Sequence, residues 1–341
     1  MSVVIVAAPL MARSGVYHST IDLVRTARAS GEDWRALIAV RPGAGGARTR
    51  QSGVTEVDIA ERGAALLSAL DELLARHVDP GDTVITMVPQ SDIAASRTDI
   101  PVRHVAWVRG LPWPGTGEQG RVRSAVLRHL ETRALRRADD VWATSPLLAD
   151  QIRSARDAVI VPAGVPLLDR SDDGSASGPL RWAGRLSVEK GPAEFVEIVR
   201  RTGFDATVHG EGPLRESLLR GAPPTIRWEG WADPRSIWSG SGTALCTSHR
   251  DAFGRSPVEA ASAGLPVVLS DQTGVAPFLF TDRELSDRFV LPVTATDAWV
   301  DAVRSLATDA ALRRRVSDHV HANAQGLSIE ASFHAARKHL T

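Results

Sequence analysis

Short apolar segments alternate with amphipathic ones along residues 1–165. Val3–Ala8 is a continuous, mostly β-branched run of the kind that forms a central parallel strand buried on both faces. A segment with helical spacing of its apolar residues follows over Ser19–Ser30. Further segments continue the alternation: Ala36–Val40 (strand), Leu66–Leu74 (helix), Thr83–Val88 (strand) and His104–Val108 (strand). Alternating strands and helices predict a parallel sheet covered by helices on both faces.

A polar stretch rich in glycine and serine interrupts this pattern at residues 166–178, and its composition is that of an inter-domain linker. The alternation then restarts. The strands predicted after the linker are Leu180–Ala183, Ala206–His209, Thr225–Trp228, Thr243–Cys246 and Pro266–Leu269. Helices are expected from Pro192, Pro213 and Pro257, because proline suits the first helical position.

The predicted fold class is therefore α/β, with two Rossmann-like, doubly wound parallel-sheet domains. The length of 341 residues fits two domains at about 150 residues each. We assign residues 1–165 to an N-terminal domain, 166–178 to the linker, 179–320 to a C-terminal domain and 321–341 to a C-terminal helix that packs back on the N-terminal domain. Two such domains bind their ligand in a cleft between the carboxyl ends of their strands.

Composition excludes several classes of protein. The 40 basic side chains balance the 40 acidic ones and 43% of the residues are hydrophobic, which argues against disorder and against a nucleic-acid-binding protein. Cys246 is the single cysteine, so neither an intrachain disulfide nor a cysteine-based zinc site is expected. The longest apolar stretch, Val3–Ala12, is too short for a membrane span and no basic residue precedes it. We expect a cytoplasmic protein.

The loop after the first predicted strand lacks the G-x-G-x-x-G pattern, which argues against a nicotinamide-dependent oxidoreductase. Gly15 lies just before the first predicted helix, where it would let backbone amides approach an anion. A single loop glycine is more often structural, so both interpretations stay open.

The strongest chemical signal is the turn Gly184–Gly191, with the sequence GRLSVEKG, between a predicted strand and the helix at Pro192. Arg185 offers a planar fork and Lys190 a compact charge to phosphate oxygens, and the helix adds its N-terminal dipole. The turn is therefore suited to a diphosphate. The alternative is a solvated loop with charges of both signs. Lys190 is one of only two lysines in the chain, which favours a functional role.

A second loop between a strand and a helix carries two acids, Asp251 and Glu259. In the functional interpretation, the loop acid and nearby amides contact a sugar while Glu259 accepts hydrogen bonds from ribose hydroxyls. In the structural interpretation, Ser256–Glu259 is a capping box with proline at the first helical position, which explains Glu259 without a ligand.

Four motifs follow one another between Trp182 and Val275. They are GRLSVEKG at 184–191, HGEGPLR at 209–215, WEGW at 228–231 and DAFGRSPVEAASAGLPVVLSDQTGV at 251–275. This half of the chain closely resembles the nucleotide-sugar-binding half of family 4 glycosyltransferases, whereas residues 1–165 resemble the family only faintly.

The resemblance implies a GT-B architecture, in which two Rossmann-like domains face a central cleft. It implies that residues 1–165 form the acceptor domain and residues 179–320 the nucleotide-sugar domain. It also implies transfer from a nucleoside-diphosphate sugar, with UDP favoured, that retains the anomeric configuration and needs no metal and no cofactor. By motif position, Arg185 and Lys190 would hold the diphosphate and Glu259 the ribose. The other nucleotide-sugar-binding positions it implies are Gly15, Gly184, Gly210, Gly230, Trp231, Asp251, Ala252, Phe253 and Gly254.

Two positions depart from the family pattern. Asp251 stands where the family usually has glutamate, so the contact with a sugar hydroxyl is shifted and the sugar stays open. Arg109 stands where a strand-end histidine is common; arginine is no base at neutral pH, but it binds anions and stabilises departing charge. The catalytic candidates are thus Arg185, Lys190, Asp251 and Arg109, with His104 and His18 as weaker ones.

Residues 121–137 predict a basic amphipathic helix, with its apolar positions at Val122, Val126, Leu130 and Ala134. Such a helix suits an anionic membrane or an acidic acceptor, but an ordinary domain helix with a solvated arginine face is favoured. Membrane contact therefore stays an alternative, and no nucleic-acid partner is expected.

The predicted function is a retaining hexosyltransferase that acts on a nucleotide-sugar donor and a small natural-product, glycan or lipid acceptor. One alternative is a catalytically inactive GT-B protein that binds a nucleotide sugar and serves as a partner subunit. A GT-B phosphorylase or epimerase is a third hypothesis. The sequence names neither the acceptor nor the oligomeric state.

Overall fold

The computed structural model describes residues 2–13, 15–110 and 121–340, and the chain divides into two units. The first unit comprises Met1–Gly164 and Ile329–Thr341, and the second comprises Val165–Ser328. The strands of the first unit are β1 (Val3–Leu10), β2 (Trp34–Val40), β3 (Val54–Asp58), β4 (Thr83–Thr86), β5 (Arg103–Val108), β6 (Asp140–Ala143) and β7 (Val159–Ile160). Those of the second are β8 (Leu180–Ala183), β9 (Ala206–His209), β10 (Ile226–Gly230), β11 (Thr243–Cys246), β12 (Val267–Ser270) and β13 (Val290–Leu291).

Helices connect the strands in both units. Those before residue 165 are α1 (Gly15–Ala29), α2 (Gly63–His77), α3 (Pro89–Ala95), α4 (Arg121–Arg137) and α5 (Pro146–Ile152). Those after it are α6 (Pro192–Thr202), α7 (Arg215–Leu219), α8 (Pro234–Ile237), α9 (Arg255–Ser262), α10 (Ala276–Leu279), α11 (Arg283–Phe289), α12 (Thr296–Thr308), α13 (Ala310–Ala324) and α14 (Ile329–Lys338). None of the described helices combines the length and the apolar character that crossing a membrane requires.

Each unit is built on one parallel sheet. The strand orders are β3-β2-β1-β4-β5-β6-β7 in the first unit and β10-β9-β8-β11-β12-β13 in the second. Alternate residues of β1 enter different cores: Val3 and Ile5 pack with α1 and α14, whereas Val4 and Val6 pack with α2 and α3. Because both faces of the strand are buried, its sequence is apolar without alternation. The predicted α/β class, with two Rossmann-like parallel-sheet units, is confirmed.

The edge strand β3 was not predicted from the sequence. In Val54–Asp58, two adjacent polar residues separate the two valines, and none of the five residues is fully buried. A strand that pairs on one side only, as β3 does with β2, needs no continuous apolar run. The short segment therefore lacks the signal by which the central strands were recognised.

Residues 166–178, predicted as a linker, belong to the second unit, and the change of unit falls between Gly164 and Val165. Arg313 of α13 donates from Nε to the carbonyl of Gly174 at 2.9 Å. Asp172 is only 8% exposed, and its Oδ1 accepts from the Gly174 amide at 3.0 Å. These hydrogen bonds hold Asp172 and Gly174 against the second unit.

Helix α4 presents a different face to the core from the one predicted. Glu131 is 3% exposed and Ala134 and Leu135 are buried, whereas Val126 is 53% exposed; Val122 lies outside the described side chains. Burial raises the pKa of Glu131 to about 9, and the negative charge of Asp92 adds to the shift. The carboxyl is therefore neutral in the folded protein, which is the form that a buried face tolerates.

The buried Glu131 makes stability depend on pH. Its folded-state pKa lies above the unfolded value, so the folded chain keeps a proton that the unfolded chain loses, and stability falls as pH rises from about 4.5 towards 9. We expect Glu131→Gln to raise the Tm by several degrees at about pH 8, since one pKa unit is worth about 1.4 kcal/mol, and to change it little near pH 4.

Calorimetric melting across this pH range measures the effect. Glu72→Gln is the matched control, because Glu72 is 69% exposed on α2 and pairs with Arg76 of the same helix. Equal pH dependence in the Glu131 variant and the wild-type protein would contradict the assignment of the proton.

Candidate functional site

Most of the predicted site residues of the second unit lie on loops that follow its strands. The loop 184–191 follows β8, 247–254 follows β11 and 271–275 follows β12. Since β8, β11 and β12 are parallel and adjacent, their carboxyl ends meet at one edge of the sheet. This is the edge at which open α/β sheets bind ligands.

Lys190 and Asp251 meet at this edge, although 61 positions separate them in the sequence. The Lys190 Nζ donates to Asp251 Oδ2 at 2.6 Å, and the two side chains are 30% and 15% exposed. Burial opposes the charged amine, but the charge and hydrogen bond of Asp251 outweigh it and raise the pKa of Lys190 above its usual value. The site thus holds a charged amine, partly open to solvent, with two of its three hydrogens left for a ligand.

Backbone and hydroxyl contacts lock the two loops together. The Thr247 Oγ1 donates to the Gly191 carbonyl at 2.6 Å and accepts from Trp182 Nε1 at 3.1 Å. The His249 amide donates to the Glu189 carbonyl at 2.9 Å. These contacts fix the backbone on both sides of Lys190. Thr247 and Trp182 were not singled out from the sequence, because only the tertiary pairing of the loops gives them this role.

Glycines make these close approaches possible. Gly191 has φ +64°, and a Cβ there would lie 1.9 Å from the Thr247 carbonyl oxygen. Gly210 has φ +138°, and a Cβ there would lie 1.9 Å from the carbonyl oxygen of Gly184. The Gly210 amide in turn donates to the carbonyl of Gly230 at 2.8 Å. The structure therefore brings the predicted glycines 184, 210 and 230 side by side.

The loop 251–254 is held mainly by its backbone. Its amide at Asp251 donates to the Gln272 carbonyl at 3.0 Å. Ala252 and Phe253 are 8% and 5% exposed, so their side chains face the protein interior. Gly254, with φ +96°, is the N-cap residue of α9. Ala252 and Phe253 can thus offer a ligand their backbone but not their side chains.

The predicted capping box does not form. Helix α9 begins at Arg255, two residues earlier than predicted, and has no side-chain capping bond. The hydroxyl of Ser256 donates instead to the carbonyl of Ala183 at 3.0 Å, which ties α9 to the end of β8. Glu259 consequently lies in the second turn, with its side chain 12% exposed and 3.5 Å from Arg255. The structural explanation for Glu259 is therefore wrong.

The remaining predicted residues of this unit are more open. Arg185 is exposed on the turn that carries Lys190. Burial opposes the charge of Glu189, but the hydrogen bond from Ser187 and the nearby charge of Arg185 lower its pKa. Trp231 is 66% exposed directly after Gly230. Within the loop 247–254, His249 Nε2 lies 2.7 Å from Glu194 Oε1 of α6, a pair that the sequence does not predict. The two residues are 55 positions apart in the sequence, so only the fold shows that they meet.

Gly15 and Arg109 belong to the first unit. Gly15 is the first residue of α1, and the Arg109 Nη2 donates to the Ser19 hydroxyl of the same helix at 2.9 Å. The guanidinium also lies 4.5 Å from the ring centre of Trp107, a cation–π contact. Arg109 is thus held in a fixed position at the end of β5.

The two candidate histidines differ in exposure. His104 is 4% exposed, its Nε2 lies 2.9 Å from the Thr86 hydroxyl, and burial lowers its pKa to about 4. It is therefore neutral and enclosed in the core. His18 is exposed on α1 against the ring of Tyr17. Among the residues that the structure describes, no three His, Cys, Asp or Glu side chains come together as a metal site would require.

Residues 182–321 match the model of a family described as Glycosyl transferases group 1. The second unit therefore contains a glycosyltransferase group 1 domain, and it includes the loops described above. A search of curated proteins finds no match to the sequence.

Solved structures share the fold over the whole chain. Sucrose-phosphate synthase from Thermosynechococcus elongatus is 15% identical with a TM-score of 0.81, and the match covers 100% of this chain and 98% of that one. HepE from Anabaena, in complex with UDP, is 15% identical with a TM-score of 0.76 over 100% and 99% of the two chains. A trehalose-6-phosphate synthase, described in terms of glycosyl transfer with retention, is 12% identical with a TM-score of 0.74 over 100% and 99%. The fold is that of GT-B glycosyltransferases, as predicted.

The two glycines that flank α6 allow a test of the loop contact. Gly191 and Gly203 both have left-handed φ, +64° and +72°, but a Cβ on Gly203 would meet nothing within 4 Å. We expect Gly203→Ala to destabilise the protein by about 1–2 kcal/mol, the conformational cost alone. Gly191→Ala should cost several kcal/mol more, because the loop must also move away from Thr247. Urea unfolding of both variants measures the difference, and equal losses would contradict the close approach.

Proposed function

We propose that this chain is a family 4, retaining glycosyltransferase that moves a hexose-type sugar from a nucleoside-diphosphate sugar, with UDP favoured, to an acceptor. We further propose that transfer needs no metal ion. The observation that carries the proposal is the Lys190–Asp251 pair, which lies at the carboxyl edge of the second sheet inside the glycosyltransferase group 1 domain. The neighbour solved with UDP and the one described with retention support the choice of donor and stereochemistry.

Lys190 and Arg185 would bind the donor diphosphate. Lys190 stays charged because Asp251 is its partner, and its other hydrogens can meet phosphate oxygens without breaking that contact. Arg185 lies five residues away on the same turn and offers a planar fork. Because Gly191 has no side chain, the turn that carries both cations can lie against Thr247.

The same groups would accelerate the reaction. Negative charge builds on the diphosphate as the bond between the sugar and the phosphate breaks, and prearranged cations stabilise that charge more than they stabilise the ground state. Asp251 would serve twice, by holding Lys190 and by accepting a hydrogen bond from the sugar. No nucleophile from the protein is required by this mechanism.

Glu259 would hold the ribose of the donor. Its carboxylate is largely buried and has no capping role, and its distance of 3.5 Å from Arg255 is at the limit of a hydrogen bond. Acceptor capacity is therefore left for two hydroxyl groups. In the first unit, Gly15 and the fixed guanidinium of Arg109 are the proposed contributions to substrate contact.

Removal of either cation should impair turnover. A charge-assisted hydrogen bond is worth about 1.5–3 kcal/mol, so we expect Lys190→Ala and Arg185→Ala each to lower kcat/KM by about 10- to 100-fold or more. Arg200→Ala is the control, because Arg200 lies on α6 and pairs with Glu197 of the same helix. Calorimetric titration with UDP and UDP-sugars, with and without EDTA, should show binding that is selective for one nucleotide and unaffected by the chelator.

Near-normal turnover in both variants would refute the diphosphate assignment. Loss of binding on addition of EDTA would refute metal independence. Tight UDP binding with neither transfer nor hydrolysis of any UDP-sugar would instead favour the inactive nucleotide-sugar-binding protein.

A further inference from the structure

The first unit contains a cavity of about 510 Å³ that the proposed function has not yet used. Its walls include two arginines, three apolar residues and one amide: Arg41, Arg62, Pro9, Met11, Leu66 and Gln90. None of the residues that line it is acidic. The cavity is therefore positively charged and partly apolar.

The cavity lies at the carboxyl edge of the first sheet. Pro9 and Met11 flank the last residue of β1, Arg41 is the first residue after β2, and Gln90 lies in the first turn of α3 after β4. Strand β1 is placed between β2 and β4, where the strand order changes direction. Ligands of open α/β sheets bind at such a switch point.

The two arginines are not neutralised by carboxylates. In the part of the chain that the structure describes, neither Arg41 nor Arg62 forms an ion pair, whereas Arg48 in the nearby loop pairs with Asp58. Arg41 uses Nη1 for the carbonyls of Ile59 and Glu61, which orients its guanidinium. A guanidinium carries five N–H donors, so several remain for an oxyanion.

The surrounding loops are firmly held. Arg13, two residues after Met11, donates to Glu56 of β3 at 2.6 Å, and the two side chains are 9% and 3% exposed. The same guanidinium donates to the carbonyl of Ala44 at 2.7 Å, in the loop after β2. This buried pair ties together the chain segments that follow β1 and β2, so the cavity wall is formed before a ligand binds.

The apolar part of the wall is open to solvent at one residue. Met11 is 76% exposed, whereas Leu66 is buried beneath the cavity and Pro9 is partly buried. An exposed methionine beside a cavity offers a flexible apolar contact to a ligand. The wall thus suits a molecule with an apolar body and an anionic group.

We infer that this cavity binds the acceptor substrate through an oxyanion, a phosphate or a carboxylate, held by Arg41 and Arg62, while Pro9, Met11 and Leu66 contact the apolar part of the molecule. The inference rests on the proposed function, because only a transferase requires an acceptor. It narrows the acceptor to anionic hydroxyl compounds with an apolar body.

Three probes with the same ring test the inference by isothermal calorimetry on the full chain: 4-hydroxyphenyl phosphate, 4-hydroxybenzoate and the uncharged 4-hydroxybenzyl alcohol. We expect at least one anionic probe to bind at least tenfold more tightly than the alcohol. The anion that binds more tightly identifies the source of the charge. Arg62→Gln should reduce its affinity at least tenfold and leave the affinity of the alcohol unchanged.

Arg62 is the residue to replace, because Arg41 also supports two backbone carbonyls. Arg62 is the N-cap residue of α2, and Arg76 is an exposed arginine in the last turn of that helix. The control variant Arg76→Gln should therefore bind the probes like the wild-type protein. Equal affinity for all three probes, the same anion affinity in Arg62→Gln and the wild-type protein, or no binding of any probe would each overturn the inference.

Titration of the same proteins with UDP separates this inference from the proposed function. Unchanged UDP affinity in Arg62→Gln, together with the loss of anion binding, supports a separate acceptor site. Anion binding by a wild-type protein that binds no nucleotide would refute the proposed function and with it the acceptor role of the cavity.

Discussion

The close approach of two loops at the carboxyl edge of the second sheet determines the geometry of the proposed donor site. The backbone of Gly191 lies against the carbonyl of Thr247 with no space for a Cβ. This contact sets the start of α6 and directs Lys190 towards Asp251, with which it forms an ion pair at 2.6 Å. A larger residue would separate the loops and the charged pair together. The geometry of the site therefore depends on the absence of a Cβ at position 191.

Parallel strand pairing places both candidate sites. In each unit, all strands run the same way, so the loops after the strands gather at one edge while the buried faces stay apolar. The loops of the second unit at this edge are joined to each other, as the contacts between residues 189, 191, 247 and 249 show. In the first unit the corresponding edge leaves a cavity. The same architecture thus supplies two environments that differ in side chains rather than in fold.

Sequence periodicity predicts the central strands, but it does not predict contacts between residues that are far apart in the sequence. The strands at Leu180–Ala183, Ala206–His209 and Thr243–Cys246 are found as predicted, because apolar residues occupy most of their buried positions. The start of α6 at Pro192 is also found as predicted, because proline suits the first helical position. The edge strand β3 lacks that signal. The capping box at Ser256 fails because its hydroxyl finds the carbonyl of a distant strand.

The error on α4 has a related cause. Apolar spacing alone places Glu131 on the solvent face of the helix. The fold instead buries it near Asp92, and burial raises the pKa of Glu131 to about 9, so its carboxyl is neutral. The pairing of Lys190 with Asp251 is likewise absent from local sequence. Both cases depend on which elements become neighbours, and no pattern of 3.6 or two residues contains that information.

The two edges also differ in how they balance charge, and this difference bears on how each would bind an anion. At the second sheet, Lys190 already has a carboxylate partner, so a diphosphate would share the lysine with Asp251 and would meet a local charge that is partly neutralised. At the first sheet, Arg41 and Arg62 form no ion pair among the described residues, so an anion gains their full attraction. Attraction between exposed charges weakens with ionic strength. On the proposed roles, salt should therefore weaken anion binding in the first unit more than nucleotide binding in the second, where backbone contacts and ribose hydrogen bonds carry more of the affinity.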